Sequence, residues 1–137
     1  YIGHPVASAA ALAVVKALIN RNLFDQVQRR GADLENALRA QFAQHENIGD
    51  IRGRGLFWGI ELVADRATKS PLDPSLETAK KIKSAAFEAG LICYPNSGTR
   101  DGKQGDHILL APPFIVSVDQ IGEITEKLGK ALTVALG

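Results

Sequence analysis

The chain has 137 residues, of which 45% are hydrophobic and 23% charged, and its formal net charge is +1 at pH 7. These values are typical of one globular domain with a buried core, and they exclude a basic nucleic-acid surface or a polybasic membrane-binding segment. The apolar run Val6–Ile19 contains Lys16 and is too short to span a bilayer. The only cysteine, Cys93, excludes an internal disulfide and a cysteine zinc pattern. We therefore expect no metal and a reducing compartment, the cytoplasm.

Two helices are predicted at the start of the chain. Pro5 suits a first helical turn, and the alanine-rich residues after it favour a helix up to about Asn20. The small side chains on all sides of this first helix suggest that it packs against other elements on more than one side. The next helix has apolar residues at helical spacing, which makes it amphipathic and half exposed: Leu23, Val27, Leu34, Leu38 and Phe42.

The middle of the chain predicts two strands and a third helix. The glycines in "IGDIRGRGLFWGIELV" (Ile48–Val63) break any helix, and its apolar residues favour a short strand, a glycine turn and a longer strand. The polar segment "DRATKSPLDP" is a loop. Asp73 and Pro74 then predict the N-terminus of a helix that ends at Gly90.

The last third predicts strand, loop, strand and helix. "LICYP" and "HILLA" have the composition of strands, and the glycine-rich segment between them, "NSGTRDGKQGD", is a flexible loop or a wide hairpin. Ser117 and Gln120 form a capping box before the final helix. Adjacent strands without intervening helices indicate an α+β fold, with a small, mostly antiparallel sheet of three or four strands covered by helices.

Asp106 and His107 are the most obvious pair of catalytic residue types. Neighbours on a strand point to opposite faces, so we expect an Asp that ends a loop by accepting bonds from backbone amides, followed by a strand-edge His. The "GRG" segment Gly53–Gly55 leads into a strand and not into a helix N-terminus, which indicates a turn and not a phosphate site.

The remaining candidates are single side chains. Arg52 and Arg54 are either solvated or anion ligands, and Arg100 either is solvated or swings onto a substrate carboxylate. Cys93 reads as a small hydrophobic residue, and no lysine lies in a pattern typical of a Schiff-base nucleophile. These residues do not by themselves make a complete active site.

Four segments in this order resemble the C-terminal part of class III aminotransferases: "YIGHPVASAAALAV", "IGDIRGRGLFWGIELV", "AGLICYP" and "GDHILLAPPFIVSVDQI". These are fold-type-I pyridoxal-phosphate enzymes, among them ω-amino acid:pyruvate, ornithine and 4-aminobutyrate aminotransferases. The resemblance implies that the Schiff-base lysine and the residues that hold the cofactor lie upstream of Tyr1. We therefore expect no catalytic and no cofactor-binding residue in this chain, which alone would be inactive. The lack of methionine and the start at Tyr1 fit a piece of a longer enzyme.

The resemblance also implies a domain division and a substrate preference. Residues 1–22 correspond to a long linking helix and residues 23–137 to the C-terminal small domain. Family members that use glutamate carry an arginine before the "APP" motif, where this chain has the apolar Leu109. This difference favours the ω-amino acid or amine:pyruvate branch, with Arg100 as the candidate for binding the substrate carboxylate.

The parent enzyme would then be a cytoplasmic homodimer that binds pyridoxal 5'-phosphate, an amine or amino acid and a keto acid. Its N-terminal cofactor domain would pack against this chain. Two alternatives remain open at this point: a non-catalytic binding or assembly domain that interacts through its alanine-rich first helix, and an aminomutase or decarboxylase of the same fold. The upstream coding sequence distinguishes the first from an enzyme.

Overall fold

The structure is a computed structural model that describes residues 2–137; Tyr1, the first residue of the expected linking helix, lies outside the described residues. Its elements in chain order are α1 (Pro5–Asn20), α2 (Leu23–Phe42), β1 (Ile48–Arg54), β2 (Phe57–Leu62), a 3₁₀ turn (Pro74–Leu76), α3 (Thr78–Glu88), β3 (Tyr94–Asn96), β4 (Asp106–Leu110) and α4 (Val118–Leu136). The predicted α+β class and the predicted order of elements are confirmed. The division into residues 1–22 and 23–137 stays a prediction.

The four strands form one antiparallel sheet in the order β1-β2-β4-β3. Ile60 of β2 is fully buried and pairs with Ile51 on one side and Ile108 on the other. This row packs against apolar residues of α2, α3 and α4 in one hydrophobic cluster. The alternate residues of each strand point to the opposite face, where Phe57 and Tyr94 are 58% and 61% exposed. The sheet therefore has one buried face and one open face.

The last helix begins where the sequence predicts. The Ser117 hydroxyl accepts a hydrogen bond from the Gln120 amide at 3.1 Å, and the Gln120 side-chain oxygen accepts one from the Ser117 amide at 2.9 Å. This reciprocal capping box satisfies two amides at the helix N-terminus.

Two predicted boundaries are wrong. Asp73 does accept a bond from the Ser75 amide at 2.9 Å, but it caps the 3₁₀ turn and not α3. Glu77 has a left-handed backbone (φ 47°), which separates that turn from the helix. In "LICYP" only Tyr94 and Pro95 lie in β3, which continues to Asn96, because β4 offers pairing partners to Tyr94–Asn96 alone.

Helix α1 differs from its expected environment. None of its residues is buried, and α2 is its main neighbour in the described chain. The packing on more than one side that its alanines suggest is therefore not found within residues 2–137, where no second element covers it. None of the described helices alone is long and apolar enough to cross a membrane; α1 and α2 meet that criterion only as a pair bent by 67°.

Helix α2 approaches the β1–β2 turn closely at Gly31. A Cβ atom on Gly31 would overlap the carbonyl oxygen of Gly55, which is backbone and cannot rotate away. Gly55 itself adopts a left-handed conformation (φ 57°), which glycine accepts and a residue with a Cβ atom rarely adopts. Gly31 thus sets the distance between α2 and the sheet.

We expect Gly31→Ala to lower the free energy of unfolding by about 1–3 kcal/mol, because the added methyl group overpacks a fixed backbone contact. Gly122→Ala is the matched control, since a Cβ at Gly122 in α4 meets no atom within 4 Å. This control should raise stability by about 0.5–1 kcal/mol through helix propensity. Urea denaturation of both variants measures the difference, and equal effects at the two sites would contradict the close approach.

Asp106 is a carboxylate on the buried side of the sheet. It is 6% exposed and opens β4 beside Leu62. The expectation that it accepts bonds from backbone amides is wrong: burial raises the pKa of Asp106, and no hydrogen bond from residues 2–137 offsets that effect. The nearby His107 lowers this pKa only partly. The charged form is therefore disfavoured in the folded chain.

We expect Asp106→Asn to raise stability at neutral pH, because it removes the cost of burying a charge. The pKa of the folded state lies above the unfolded value of 3.8, so the wild-type chain gains stability as pH falls through this window. The advantage of the variant should therefore shrink on acidification. Denaturation curves at several pH values measure this trend. Asp101→Asn is the control, since backbone hydrogen bonds lower the pKa of Asp101 and its neutralisation should give no gain.

Candidate functional site

The open face of the sheet, here called the outer face, has an apolar end and a polar end. At the apolar end the half-buried Leu109 of β4 pairs with Gly59 and with Tyr94. Two residues along β4, His107 pairs with Glu61 and with Asn96. A ligand on this face would therefore pass from an apolar floor to a polar end within about 7 Å.

A cleft of about 390 Å³ lies at the polar end. It contains three basic side chains together with Glu61 and His107, and we call it the cationic cleft. Its lining also includes the loop after β2 and the tip of the β3–β4 hairpin. The complete lining is Arg52, Glu61, Leu62, Val63, Thr68, Lys69, Pro71, Thr99, Arg100, Gly105 and His107.

Arg100 reaches the cleft from an ordered hairpin tip. The Thr99 hydroxyl donates to the Gly105 carbonyl at 2.8 Å, and the Arg100 amide donates to the Gln104 carbonyl at 2.9 Å. The Asp101 carboxylate accepts bonds from the Lys103 and Gln104 amides, and these bonds lower the pKa of Asp101. This glycine-rich segment was expected to be a flexible loop or a wide hairpin. The structure shows a hairpin, in which hydrogen bonds join Thr99 and Arg100 to Gly105 and Gln104.

The Arg52 side chain is 65% exposed and is paired with two carboxylates. It donates to the Asp50 carboxylate at 2.8 Å and to the Glu61 carboxylate at 3.1 Å. The hydrogen bond from Arg52 holds the pKa of Asp50 below its usual value, although partial burial opposes it. The same two carboxylates raise the pKa of Arg52. Arg54, two residues further along β1, is exposed.

Lys69 is held at the rim of the cleft by its backbone and its side chain. It adopts a left-handed backbone (φ 56°), which is uncommon for a lysine. Its ammonium group donates to the carbonyl of Gly49, and its charge helps to lower the pKa of Asp50. Lys69 thus belongs to the same charge cluster as Arg52.

Asp106 and His107 do not form a catalytic pair. Asp106 is buried on the helix side of the sheet, whereas His107 lies on the outer face and lines the cleft, as strand alternation predicts. The His107 Nδ1 atom is buried and has no hydrogen-bond partner among residues 2–137. The Nδ1 atom of His107 is therefore not linked to the Asp106 carboxylate.

Cys93 is half-buried beside the hydrophobic cluster, and burial raises the pKa of its thiol. This agrees with its interpretation as a small hydrophobic residue. In the part of the chain that the structure describes, no group of three His, Cys, Asp or Glu side chains is placed to bind a metal.

Sequence reasoning missed Asp50, Glu61 and Lys69 as parts of the site. The available signal was the alternation of β2, which places Glu61 on the same face as Gly59 and opposite to the buried Ile60. The pairing of Glu61 with His107 depends on strand register, which the sequence does not specify by itself.

The chain is similar to known proteins of one family. The sequence profile of the family "Aminotransferase class-III" matches residues 1–132. An uncharacterized aminotransferase of Schizosaccharomyces pombe is 44% identical over 97% of this chain, which spans 29% of that protein. Ethanolamine-phosphate phospho-lyase homolog 1 of Caenorhabditis elegans is 38% identical over 97% of the chain and 27% of its own length. Taurine–pyruvate aminotransferase of Bilophila wadsworthia is 37% identical, with coverages of 91% and 27%.

A solved structure of a pyridoxal-phosphate-bound aminotransferase mutant from Vibrio fluvialis superposes with a TM-score of 0.87 at 36% identity, covering 98% of this chain and 28% of that one. The chain thus spans less than a third of the length of the relatives it matches. The matched region includes all four strands and all but the last few residues of α4. The chain belongs to the class III aminotransferases.

Proposed function

We propose that the full-length protein containing this chain is a pyridoxal-phosphate-dependent aminotransferase. It would transfer an amino group from an ω-amino acid or an amine to a keto acid such as pyruvate. Family membership supports the amino-group chemistry, and the name of the taurine–pyruvate relative gives one precedent for this pair of substrates. We also propose that the full-length protein is a homodimer. We further propose that it lies in the cytoplasm, a reducing compartment that accords with the single cysteine of this chain.

The observation that carries the substrate assignment is the apolar side chain of Leu109 on the outer face. An arginine at this position would offer a planar pair of donors to a substrate carboxylate. Leu109 instead continues the apolar floor formed with Gly59 and Tyr94. In this proposal the outer face forms a wall of the substrate site, excludes water from the reacting end and leaves Arg100 to bind a carboxylate.

The described residues do not fit the cofactor itself. A lysine that reacts with the aldehyde of pyridoxal phosphate is activated by desolvation or by a neighbouring cation. Every lysine in residues 2–137 is exposed or half-buried, and Lys69, Lys80, Lys127 and Lys130 are engaged with carbonyl or carboxylate groups. We therefore assign no step of the reaction through the cofactor to these residues. In the proposal the cofactor is held by the rest of the protein.

The full-length protein loaded with pyridoxal phosphate should form alanine from pyruvate and an amine such as 3-aminopropanoate. With 2-oxoglutarate in place of pyruvate, kcat/KM should be lower by about tenfold or more, because a second carboxylate meets an apolar floor at Leu109. Coupled assays for alanine and for glutamate measure the two reactions. Equal use of both acceptors would contradict the substrate assignment, and a lack of amino transfer to either acceptor would contradict the proposed activity.

Leu109→Arg should raise kcat/KM for 2-oxoglutarate by about tenfold, since it restores a bidentate donor at the outer face. Leu109→Lys is the matched control, because it adds the same charge without the planar fork and should give a smaller gain. If kcat/KM for 2-oxoglutarate rises equally in both variants, the added positive charge alone explains the rise. The argument from the bidentate geometry of arginine would then be wrong.

A further inference from the structure

The tip of the β3–β4 hairpin contains a pair of residues with a chemical reactivity of its own. Asp101–Gly102 is the only Asp-Gly pair in the sequence, which has no Asn-Gly pair. In an Asp-Gly pair the glycine nitrogen can attack the aspartyl side chain, because glycine has no side chain that obstructs the approach. Both residues are exposed, and a Cβ atom at Gly102 would meet no atom within 4 Å. The described residues therefore leave room for the reaction at this position.

The reaction moves the peptide bond from the main chain to the side chain without a cofactor. The Gly102 nitrogen forms a bond to Cγ of Asp101, and the bond from Cγ to its hydroxyl breaks, so that the hydroxyl leaves with the amide proton as water. The product is a five-membered succinimide ring, to which water then adds. Addition at Cγ restores aspartate, whereas addition at the main-chain carbonyl carbon gives isoaspartate. The water that is lost is regained, so neither the mass nor the oxidation state changes.

The closed tip makes Asp101 a poor electrophile. Its carboxylate accepts hydrogen bonds from the Gln104 amide at 2.7 Å and from the Lys103 amide at 2.9 Å. These bonds, together with the nearby charge of Arg100, hold the pKa of Asp101 below its usual value. An ionised carboxylate has no hydroxyl that can leave as water, so the folded tip favours the unreactive form.

The closed tip also holds back the attacking nitrogen. The Gly102 amide donates a hydrogen bond to the Gly98 carbonyl at 3.0 Å. This bond must break before the nitrogen can turn to Cγ of Asp101. Both reactants are thus engaged with other partners in the same hairpin, and a single opening of the tip would release them together.

Hydrogen bonds, and not core packing, order the tip. None of residues 97–105 is buried. The Gly105 carbonyl accepts bonds from the Thr99 amide at 3.2 Å and from the Thr99 hydroxyl at 2.8 Å. Segments with few buried contacts and exposed backbone hydrogen bonds open locally at a much lower free-energy cost than global unfolding. We therefore expect the tip to open while the sheet stays folded.

We propose that Asp101 is a site of spontaneous isoaspartate formation, and that the closed hairpin tip suppresses this modification until the tip opens. Isoaspartate adds one atom to the backbone and carries its free carboxylate on Cα. The carboxylate then cannot keep its present geometry towards the Lys103 and Gln104 amides. Because Arg100 directly precedes the modified residue, its position at the cationic cleft changes as well. The modification itself does not depend on the proposed function.

The test follows isoaspartate in the full-length protein during prolonged incubation below its unfolding temperature. After digestion, peptides with aspartate and isoaspartate at residue 101 have equal mass, so chromatography separates them and electron-transfer fragmentation identifies them. The same protein unfolded in guanidinium chloride gives the rate without protection by the tip. We expect isoaspartate at residue 101 in the native protein, formed about tenfold or more slowly than in the unfolded protein.

Thr99→Val removes the hydroxyl that bonds to Gly105 and keeps the branched shape of the side chain. It should raise the rate in the native protein about fivefold, the change expected from the loss of one intramolecular hydrogen bond. Hydrogen exchange of the tip peptide should rise by the same factor, because both reactions proceed through the open tip. Thr99→Ser keeps the hydroxyl and should react like the wild type.

Thr133→Val is the matched control. It removes a hydroxyl that donates to the Gly129 carbonyl at 3.1 Å on the exposed surface of α4, outside the tip. Its rate of isoaspartate formation should equal that of the wild type.

The proposal is wrong if isoaspartate at residue 101 forms in the unfolded protein but in neither native wild type nor Thr99→Val. It is also wrong if native and unfolded wild-type protein react at equal rates, or if Thr133→Val accelerates the reaction as much as Thr99→Val does. The comparison of native with unfolded wild type decides the proposal even if Thr99→Val does not fold. Amino transfer is not among the measured quantities, so a failure of the proposed function would leave this result intact.

Discussion

The site depends on the alternation of β2 and β4 between a buried face and an open one. Trp58, Ile60 and Leu62 point into the hydrophobic cluster, so Gly59 and Glu61 must point outward. Burial of the inner row is the large favourable term, and it fixes the register because a slip by one residue would expose every apolar side chain of the strand. Burial of the inner row thus determines which residues lie on the outer face.

That constraint connects the fold to the chemistry of the outer face. Antiparallel pairing with β4 places His107 opposite Glu61 and Leu109 opposite Gly59. Pairing with β1 places Arg52 opposite Gly59 and Asp50 opposite Glu61, so the two carboxylates approach one guanidinium. The bond network of the β3–β4 hairpin tip then holds Arg100 at the remaining side of the cleft. An apolar floor and a polar end that carries basic side chains follow from strand register and from the β3–β4 hairpin.

Much of the fold was predictable from the sequence because the signals were local and repeated. The long helices α2 and α4 have apolar residues at helical spacing, and α4 begins at a capping box. The start of α3 was missed because Glu77 adopts a left-handed conformation that its residue type does not indicate. The ion pairs were missed for a different reason. Asp50 reaches the same face as Glu61 only because the register shifts between Ile48 and Asp50.

The family resemblance supplied what local physics could not, since the residues of this chain alone do not assemble a reaction. The substrate proposal rests on Leu109, which lies on the outer face, and on Arg100, which lines the cationic cleft. The central claim is that the outer face of the sheet is a wall of the substrate site. A crystal structure of the full-length protein with pyridoxal phosphate and a non-reactive ω-amino acid analogue tests it most directly. The account predicts methylene groups over Leu109 and Gly59, with the carboxylate within about 3 Å of the Arg100 guanidinium. An outer face covered by another segment of protein, with the analogue bound elsewhere, would contradict it.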